Sequence, residues 1–395
     1  MTPCILPWIN FSTNTFGRPR VCGYSDIKVD TKLKDSDIAT EWNSEYFKQI
    51  RRDFMRGEWP ENCRRCKYVE ELKGRSKRIE ENHFYFNDNK HLIDQTEEDG
   101  TLNTYPKFID IRVGTICNLK CIHCGTGASS KWNEDKELLN KYQNTEQYNI
   151  NNKWIEQDSL IWDSMREHIN STERLNFLGG EPFANKQHNK FLKEISQTDR
   201  AKKIILSYVT NGTLVTEEML DQMIKFRAVL FNVSIDATEK AGEYFRFPIK
   251  WEEQEERLLT FDRYAKENSR NFYLRAQWTC SNVSMFYFIK TWNFIKDYCP
   301  NTRFILCNHV EWPVHMSAQV LPLELKFQIK KQVENNNWGE YNNKVKFYVN
   351  HMMEKDLWPV HGKTFMNYLD DLDRVRKISW RDNFSEMNLE KYDPR

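Results

Sequence analysis

An α/β fold built around a parallel sheet is the class this sequence predicts, and three observations lead there. From about Lys107 onward, short apolar runs of strand length alternate with longer segments of helical periodicity. Six strand candidates alternate with helices in this way, so parallel strands need right-handed crossovers, as in an open doubly wound sheet or a partial barrel. The one tight group of cysteines falls directly after the first of those strands.

Before about residue 105 there is little such alternation. Short apolar runs lead to a helical stretch near Ile38–Gly57 and then to a charged stretch from Cys66 to Asn89. The strand candidates that follow are Phe108–Gly114, Arg174–Leu178, Lys203–Thr210, Ala228–Ile235, Phe272–Cys280 and Arg303–Val310. Helical periodicity marks Ile155–Ile169, Thr216–Phe226, Glu252–Glu267 and Ser284–Tyr298. In the Thr216 segment, Thr216 is suited to cap the first turn and Glu217 and Glu218 to the positive helix end. Met219, Leu220, Met223 and Ile224 make one apolar stripe. The tail after Pro322 reads as helical and ends in a polar segment rich in Asp and Arg. The expected division is an N-terminal module and linker over 1–104, a strand–helix domain over 105–315 and a helical extension over 316–395.

Composition narrows the function classes. With 395 residues, 39% hydrophobic and 14% aromatic, the chain is expected to bury a large core despite 29% charged residues. A net charge of +1 argues against coating nucleic acid or membrane by bulk electrostatics, although a nucleic-acid substrate stays open. Met1–Phe11 is interrupted by Pro3, Cys4, Pro7 and Asn10, unlike a secretory signal, and no run approaches a membrane span. A cytoplasmic location is therefore expected. In that setting the ten cysteines read as metal ligands and core thiols, not disulfides.

The strongest chemical signal is Cys117-Asn-Leu-Lys-Cys121-Ile-His-Cys124. Three thiolates at this spacing can wrap one cubane cluster, because soft sulfur suits Fe–S iron. With no fourth cysteine in the motif, one iron stays open to an outside ligand. A zinc knuckle or a set of core thiols fits the spacing too. The position favours a ligand site, since in parallel α/β proteins such sites gather at the carboxyl ends of strands.

This loop resembles the signature of the radical S-adenosylmethionine (SAM) superfamily, which follows the first strand of a partial (β/α)6 barrel. His123 stands where that family usually has an aromatic residue. The resemblance implies a SAM-binding 4Fe–4S cluster on Cys117, Cys121 and Cys124. It also implies reductive cleavage of SAM to a 5′-deoxyadenosyl radical and abstraction of a substrate hydrogen. Gly179-Gly180-Glu181-Pro182, after the second strand, matches the family motif for the SAM amino group, where glycines let backbone approach closely and a carboxylate meets an ammonium. Asn211 in Thr210-Asn211-Gly212, and Ser234 and Asp236 in the next strand end, suit a ribose or the SAM amino acid group, or else cap the following helices. Arg246, in Tyr244-Phe-Arg-Phe-Pro248, resembles the arginine that meets the SAM carboxylate; a surface salt bridge is the plainer reading.

Cys4, Cys22, Cys63 and Cys66 can ligate a metal fully, and ligand count alone leaves zinc and a 4Fe–4S cluster open. The stretch resembles the auxiliary-cluster modules of the SPASM/twitch subgroup: Cys-x-x-Pro-Trp, a second Cys after a short hairpin, then Trp42-Asn-Ser, Arg51-Arg52 and the CxxC. Here the module precedes the barrel and offers fewer cysteines than a two-cluster SPASM domain. The resemblance therefore implies one auxiliary 4Fe–4S cluster for electron transfer.

An oxidoreductase or maturase acting on a peptide or protein follows, served by a reductant such as flavodoxin or ferredoxin. A small metabolite, sugar or nucleotide is the alternative substrate, and a non-catalytic metal-cluster protein the alternative class. No residue stands out as the catalytic acid, base or hydrogen donor. Cys280 invites a hydrogen-donor role, but a buried thiol is the simpler reading. Residues 48–78 hold eleven Lys/Arg against five Asp/Glu, which reads as a solvated helix face or as an anion-binding region.

Overall fold

The computed structural model describes the chain apart from residues 27–32, 34, 35, 144–153 and 156–159. It divides into two compact units. The first comprises Met1–Ile116, Asn151–Tyr208 and Thr216–Val229; the second comprises Cys117–Ile150, Val209–Val215 and Leu230–Arg395.

The first unit carries β1 (Asn10–Thr13), β2 (Pro19–Arg20), β3 (Phe108–Arg112), β4 (Arg174–Leu178) and β5 (Ile205–Thr210), in the order β2-β1-β3-β4-β5. β1 and β2 form an antiparallel pair, and β1 then runs parallel to β3, with Asn10 opposite Phe108. Register across β3, β4 and β5 aligns Ile109, Leu175 and Leu206 in one apolar row. One residue on, Asp110, Asn176 and Ser207 make a polar row on the opposite face. That polar row is bonded together: Asn176 Nδ2 donates to Asp110 Oδ1 at 3.0 Å and Ser12 Oγ to Asp110 Oδ2 at 3.2 Å.

The pairing of β1 with β3 was not expected from sequence. Four residues, Asn-Phe-Ser-Thr, are too few for periodicity, and all four are buried, so no alternation marks them. The helical stretch near Ile38–Gly57 is two helices, Ile38–Trp42 and Glu45–Met55, and the charged stretch is helical at Arg64–Glu71 and Lys77–Asn89. Fully buried Arg51 ties these parts together. It donates to the carbonyls of Pro7, Trp42 and Gly100 and to Asn43 Oδ1, at 2.9–3.1 Å. The expected helix from Ile155 falls partly outside the described residues; its described part is helical over Leu160–Glu167. Thr216 caps as read, accepting from Met219 N at 3.3 Å.

The second unit holds β6 (Ala228–Ser234), β7 (Phe272–Cys280) and β8 (Arg303–His309). β7 buries alternate residues along its length and pairs in parallel with β8, with a register shift between Trp278 and Cys280. The single helix expected over Ser284–Tyr298 is two, Asn282–Phe286 and Phe288–Tyr298. Ser281 and Ser284 form a capping box at the first. Trp292 packs on Phe304 and Trp338, with ring centroids 5.1 and 5.2 Å apart. The tail is helical at Leu323–Glu334, Asn342–Glu354 and Trp358–Arg376. The mixed α/β class with parallel strands and a helical C-terminal region is thus observed. Among the described residues no helix is long and apolar enough to cross a membrane.

Candidate metal and cofactor site

The Cys117–Cys124 loop has little regular structure, so its shape depends on contacts from elsewhere in the second unit. Lys120 N donates to Phe247 O at 2.7 Å and Ile122 N to Phe245 O at 2.9 Å, which lays the loop along the Phe245–Phe247 segment. Ser129 Oγ bonds Leu119 O at 2.6 Å, Trp132 Nε1 bonds Cys121 O at 3.3 Å, and Tyr368 OH bonds Ile122 O at 2.9 Å. Arg376 donates to Lys120 O and, at 2.8 Å, to Tyr244 O. Lys120, itself buried, reaches Asp135 at 2.6 Å.

These contacts gather the thiols. Cys121 is buried with Leu119 and Ile249, and Cys117 and Cys124 pack against that cluster. Cys121 and Cys124 share a hydrogen bond that lowers one thiol and raises the other; burial opposes the drop at Cys121 and Arg246 assists it. Asn211 Nδ2 lies 3.9 Å from Cys117 Sγ and donates to Asn118 Oδ1 at 3.0 Å, and Asn118 in turn donates to Thr213 at 2.8 Å.

Arg246 and Asp236 sit beside these thiols. Arg246 Nη1 is 3.9 Å from Cys121 Sγ, and its Nη2 is 2.5 Å from Asp236 Oδ2. This is a buried pair, not the surface bridge that was the plainer expectation. Burial pulls the guanidinium pKa down, but Asp236 and then Cys121 outweigh it and hold the charge firmly. Asp236 Oδ1 accepts from Thr279 N at 3.2 Å. At Oδ2 the two side chains form a close ion pair, while Arg246 Nε is buried without a hydrogen-bond partner among the described residues. One donor thus stays open next to Cys121. Ser234 is half-buried at the carboxyl end of β6. The His123 ring lies tilted against Phe245, centroids 5.0 Å apart, and burial pushes its pKa down, which favours the neutral ring.

Gly179–Pro182 belongs to the first unit, following β4. Gly180 N donates to Gly114 O at 3.0 Å and Glu181 N to Ile116 O at 2.6 Å. Ile116 immediately precedes Cys117. A Cβ on Gly180 would lie 2.1 Å from Ile116 O, so only glycine allows this approach. Gly179 has φ +128°, which also favours glycine. Glu181 is fully buried and its Oε1 accepts from Phe183 N at 3.2 Å.

The four N-terminal cysteines converge within the first unit. Cys4, Cys22, Cys63 and Cys66 line one small pocket, whose other walls are mostly apolar (Leu6, Val21, Phe54, Trp59), with Ser25, Lys77 and Arg78 among them. The two cysteine-bearing turns are joined: Asp26 N donates to Asn62 O at 2.9 Å, and Arg64 Nε reaches Asp26 at 2.6 Å. Cys4 is held by Asn82, which bonds Ile5 N at 2.9 Å and Pro3 O at 2.8 Å. Burial raises the Cys4, Cys22 and Cys63 thiols.

Residues 111–286 match the family model described as the radical SAM superfamily. Over that stretch the chain is similar to a radical SAM domain. Solved structures similar to it include native anSMEcpe with bound AdoMet and Cp18Cys peptide, at 18% identity and TM-score 0.38, covering 59% of this chain and 60% of that one. Streptococcus suis SuiB bound to S-adenosylmethionine matches at 14% identity and TM-score 0.38, over 85% of this chain and 68% of that one. The chain thus spans about 60% of the first of these proteins. No curated protein matches the sequence.

For a radical SAM domain the donor set fits a 4Fe–4S cluster, with three soft thiols grouped beside a fixed cation. Among the described residues no three His, Cys, Asp or Glu side chains close to single-ion distances. A cubane does not require that, since each thiolate binds a different iron. Sequence reasoning missed Asn118, Trp132, Tyr368 and Arg376 at the loop, and Lys77 and Arg78 at the N-terminal cavity. Tyr368 and Arg376 lie some 250 residues from their partners in sequence, and no local pattern links them. Cys280 is fully buried against Met285, 4.0 Å from its sulfur, as the simpler reading expected.

Proposed function

We propose that this chain is a radical SAM enzyme with two clusters, one that cleaves SAM and one auxiliary. In this reading Cys117, Cys121 and Cys124 hold the SAM-cleaving 4Fe–4S cluster, and Cys4, Cys22, Cys63 and Cys66 hold an auxiliary 4Fe–4S cluster. Bound to the first cluster and reduced by a flavodoxin- or ferredoxin-type donor, SAM supplies a 5′-deoxyadenosyl radical that abstracts a substrate hydrogen.

The observation that carries this reading is the grouping of three thiols, inside the matched domain, with Arg246 and Asp236. An open buried donor on Arg246, a side chain held in place by Asp236, suits the carboxylate of an amino acid. Asn211 and Ser234 are assigned to the same ligand, and the Gly179–Pro182 backbone to its amino group. At the N-terminal site the four thiols line one pocket, and the resemblance to auxiliary-cluster modules favours a cluster over a zinc ion. Lys77 and Arg78 supply countercharge there. The twitch-like character of that module favours a peptide or protein substrate; a small metabolite is the second reading.

Anaerobic reconstitution tests the proposal. Two such clusters give roughly eight irons per chain, and Cys63→Ser with Cys66→Ser lowers this to roughly four without abolishing 5′-deoxyadenosine formation. Zinc in place of the second four irons refutes the auxiliary cluster. SAM cleavage by a variant lacking Cys117, Cys121 and Cys124 refutes the catalytic centre.

A further inference from the structure

Apart from the two thiol groups, the first unit buries one guanidinium whose donors are largely unmet. Arg20 ends β2 and is 8% exposed. Its Nη1 donates to Gly23 O at 3.2 Å, but Nε and Nη2 are buried without a partner among the described residues. An unmet buried donor is costly, and more so on a charged group. A protein that bears this cost at one residue has reason to keep those N–H groups free.

A second guanidinium comes to the same place. A Cβ built on Gly23 would stand 3.8 Å from Arg112 Nη2 and 3.9 Å from Arg20 Nη2. Arg112 is the last residue of β3 and lies on the same face as Asp110. Two like charges thus meet at a glycine, where no side chain covers them. Asp110, on that face, already accepts from Ser12 and Asn176. A polar pocket lies alongside, walled by Gly23, Cys22, Lys77 and Arg174 and by the carboxylates of Asp110 and Glu81, the latter already paired with Lys77 at 2.7 Å. An oxyanion fits this arrangement, because guanidinium forks bind carboxylate and phosphate oxygens in pairs. It would also relieve the repulsion between the two arginines.

We propose that Arg20 and Arg112 form an anion subsite that grips a carboxylate or phosphate group of the substrate, beside the N-terminal cysteines. The word substrate rests on the radical SAM reading; the anion site does not. The test uses the anaerobically reconstituted protein. Inorganic phosphate and acetate are titrated separately, with chloride holding ionic strength constant, while the melting temperature is followed. We expect a saturable rise with at least one anion, phosphate marking a phosphoryl group and acetate a carboxylate. Its apparent affinity is expected to fall about tenfold or more in Arg20→Gln and to persist in the exposed control Arg303→Gln. If Arg20→Gln does not fold, Arg112→Gln carries the same expectation.

A wild type with no saturable response to either anion overturns the inference, as does a response unchanged in both variants. So does an Arg20→Gln protein that keeps the response but shifts the electron paramagnetic resonance signal of the N-terminal cluster, which assigns the guanidinium to that cluster. SAM cleavage is measured in the same samples. Anion binding without 5′-deoxyadenosine formation strikes the catalytic reading and leaves the anion site standing. Cleavage without any anion response strikes the subsite alone.

Discussion

Gly180→Ala is the sharpest perturbation the structure offers. The φ at Gly180 is not in the left-handed region, so the effect of a methyl group there is one of space. The new Cβ would stand 2.1 Å from Ile116 O, 2.7 Å from Ile116 C and 2.8 Å from Thr115 C. All three are backbone atoms that no rotamer change can move. Separating them displaces the residue just before Cys117 and breaks the bonds from Gly180 N to Gly114 O and from Glu181 N to Ile116 O. Overpacking costs about 1–3 kcal/mol, and each lost hydrogen bond about 1 kcal/mol. The expected loss is therefore about 3–5 kcal/mol, a large share of the 5–15 kcal/mol typical of a folded domain.

Urea unfolding of the metal-free protein reads this loss directly, and iron retained after reconstitution reads its effect on the cysteine loop. Gly57→Ala is the control. Gly57 has φ +75° with nothing within 4 Å of a built Cβ, so it costs only the left-handed penalty of roughly 1–2 kcal/mol. A Gly180→Ala protein with a wild-type unfolding midpoint and full iron content would refute the steric argument.

Three further outcomes follow from buried groups. Arg51→Met is expected to leave the carbonyls of Pro7, Trp42 and Gly100 unpaired at about 1–3 kcal/mol each, so urea unfolding should show a loss of at least about 3 kcal/mol. Arg51→Lys should recover little of it, since one ammonium cannot match a planar fork. Tyr368→Phe removes the donor to Ile122 O and is expected to cost about 1–2 kcal/mol by the same measurement. His188 is fully buried against Tyr208 OH at 2.8 Å, and burial lowers its pKa from 6.5 to about 4. The unfolded chain therefore binds the proton first as pH falls. Stability is full above about pH 6.5 and declines by on the order of 3 kcal/mol down to about pH 4. His188→Gln should flatten that window in urea titrations, and an unchanged slope would show that other groups set it.

The legible and illegible parts of this protein differ in range. β4 and β7 were readable to the residue because their apolar spacing and flanking polar residues are local. Thr216 was readable as a cap for the same reason. The CxxxCxxC and Gly-Gly-Glu-Pro motifs were readable because short spacings carry their chemistry. β1 was hidden, because a fully buried polar strand shows neither alternation nor a strong apolar run. The eleven basic residues of 48–78 read as one surface feature, yet Arg51 among them is a fully buried tie between helices and loops. Charge counts along a chain do not distinguish a solvated arginine from one that satisfies carbonyls.

The cysteine loop shows what such hidden residues accomplish. A loop outside any ladder must find partners for its backbone from other sources, or bear the cost of burying them unmet. Here four consecutive carbonyls are each met by a distant side chain: Leu119 by Ser129, Lys120 by Arg376, Cys121 by Trp132 and Ile122 by Tyr368. Two of those side chains come from the helix Trp358–Arg376, far from the motif in sequence. The spacing of the three cysteines decides which chemistry the loop can perform. The direction in which the sulfurs point is decided by residues that carry no chemistry of their own. A variant that leaves the motif intact but removes these donors changes how the three thiols are arranged, so an intact motif is not by itself an intact site.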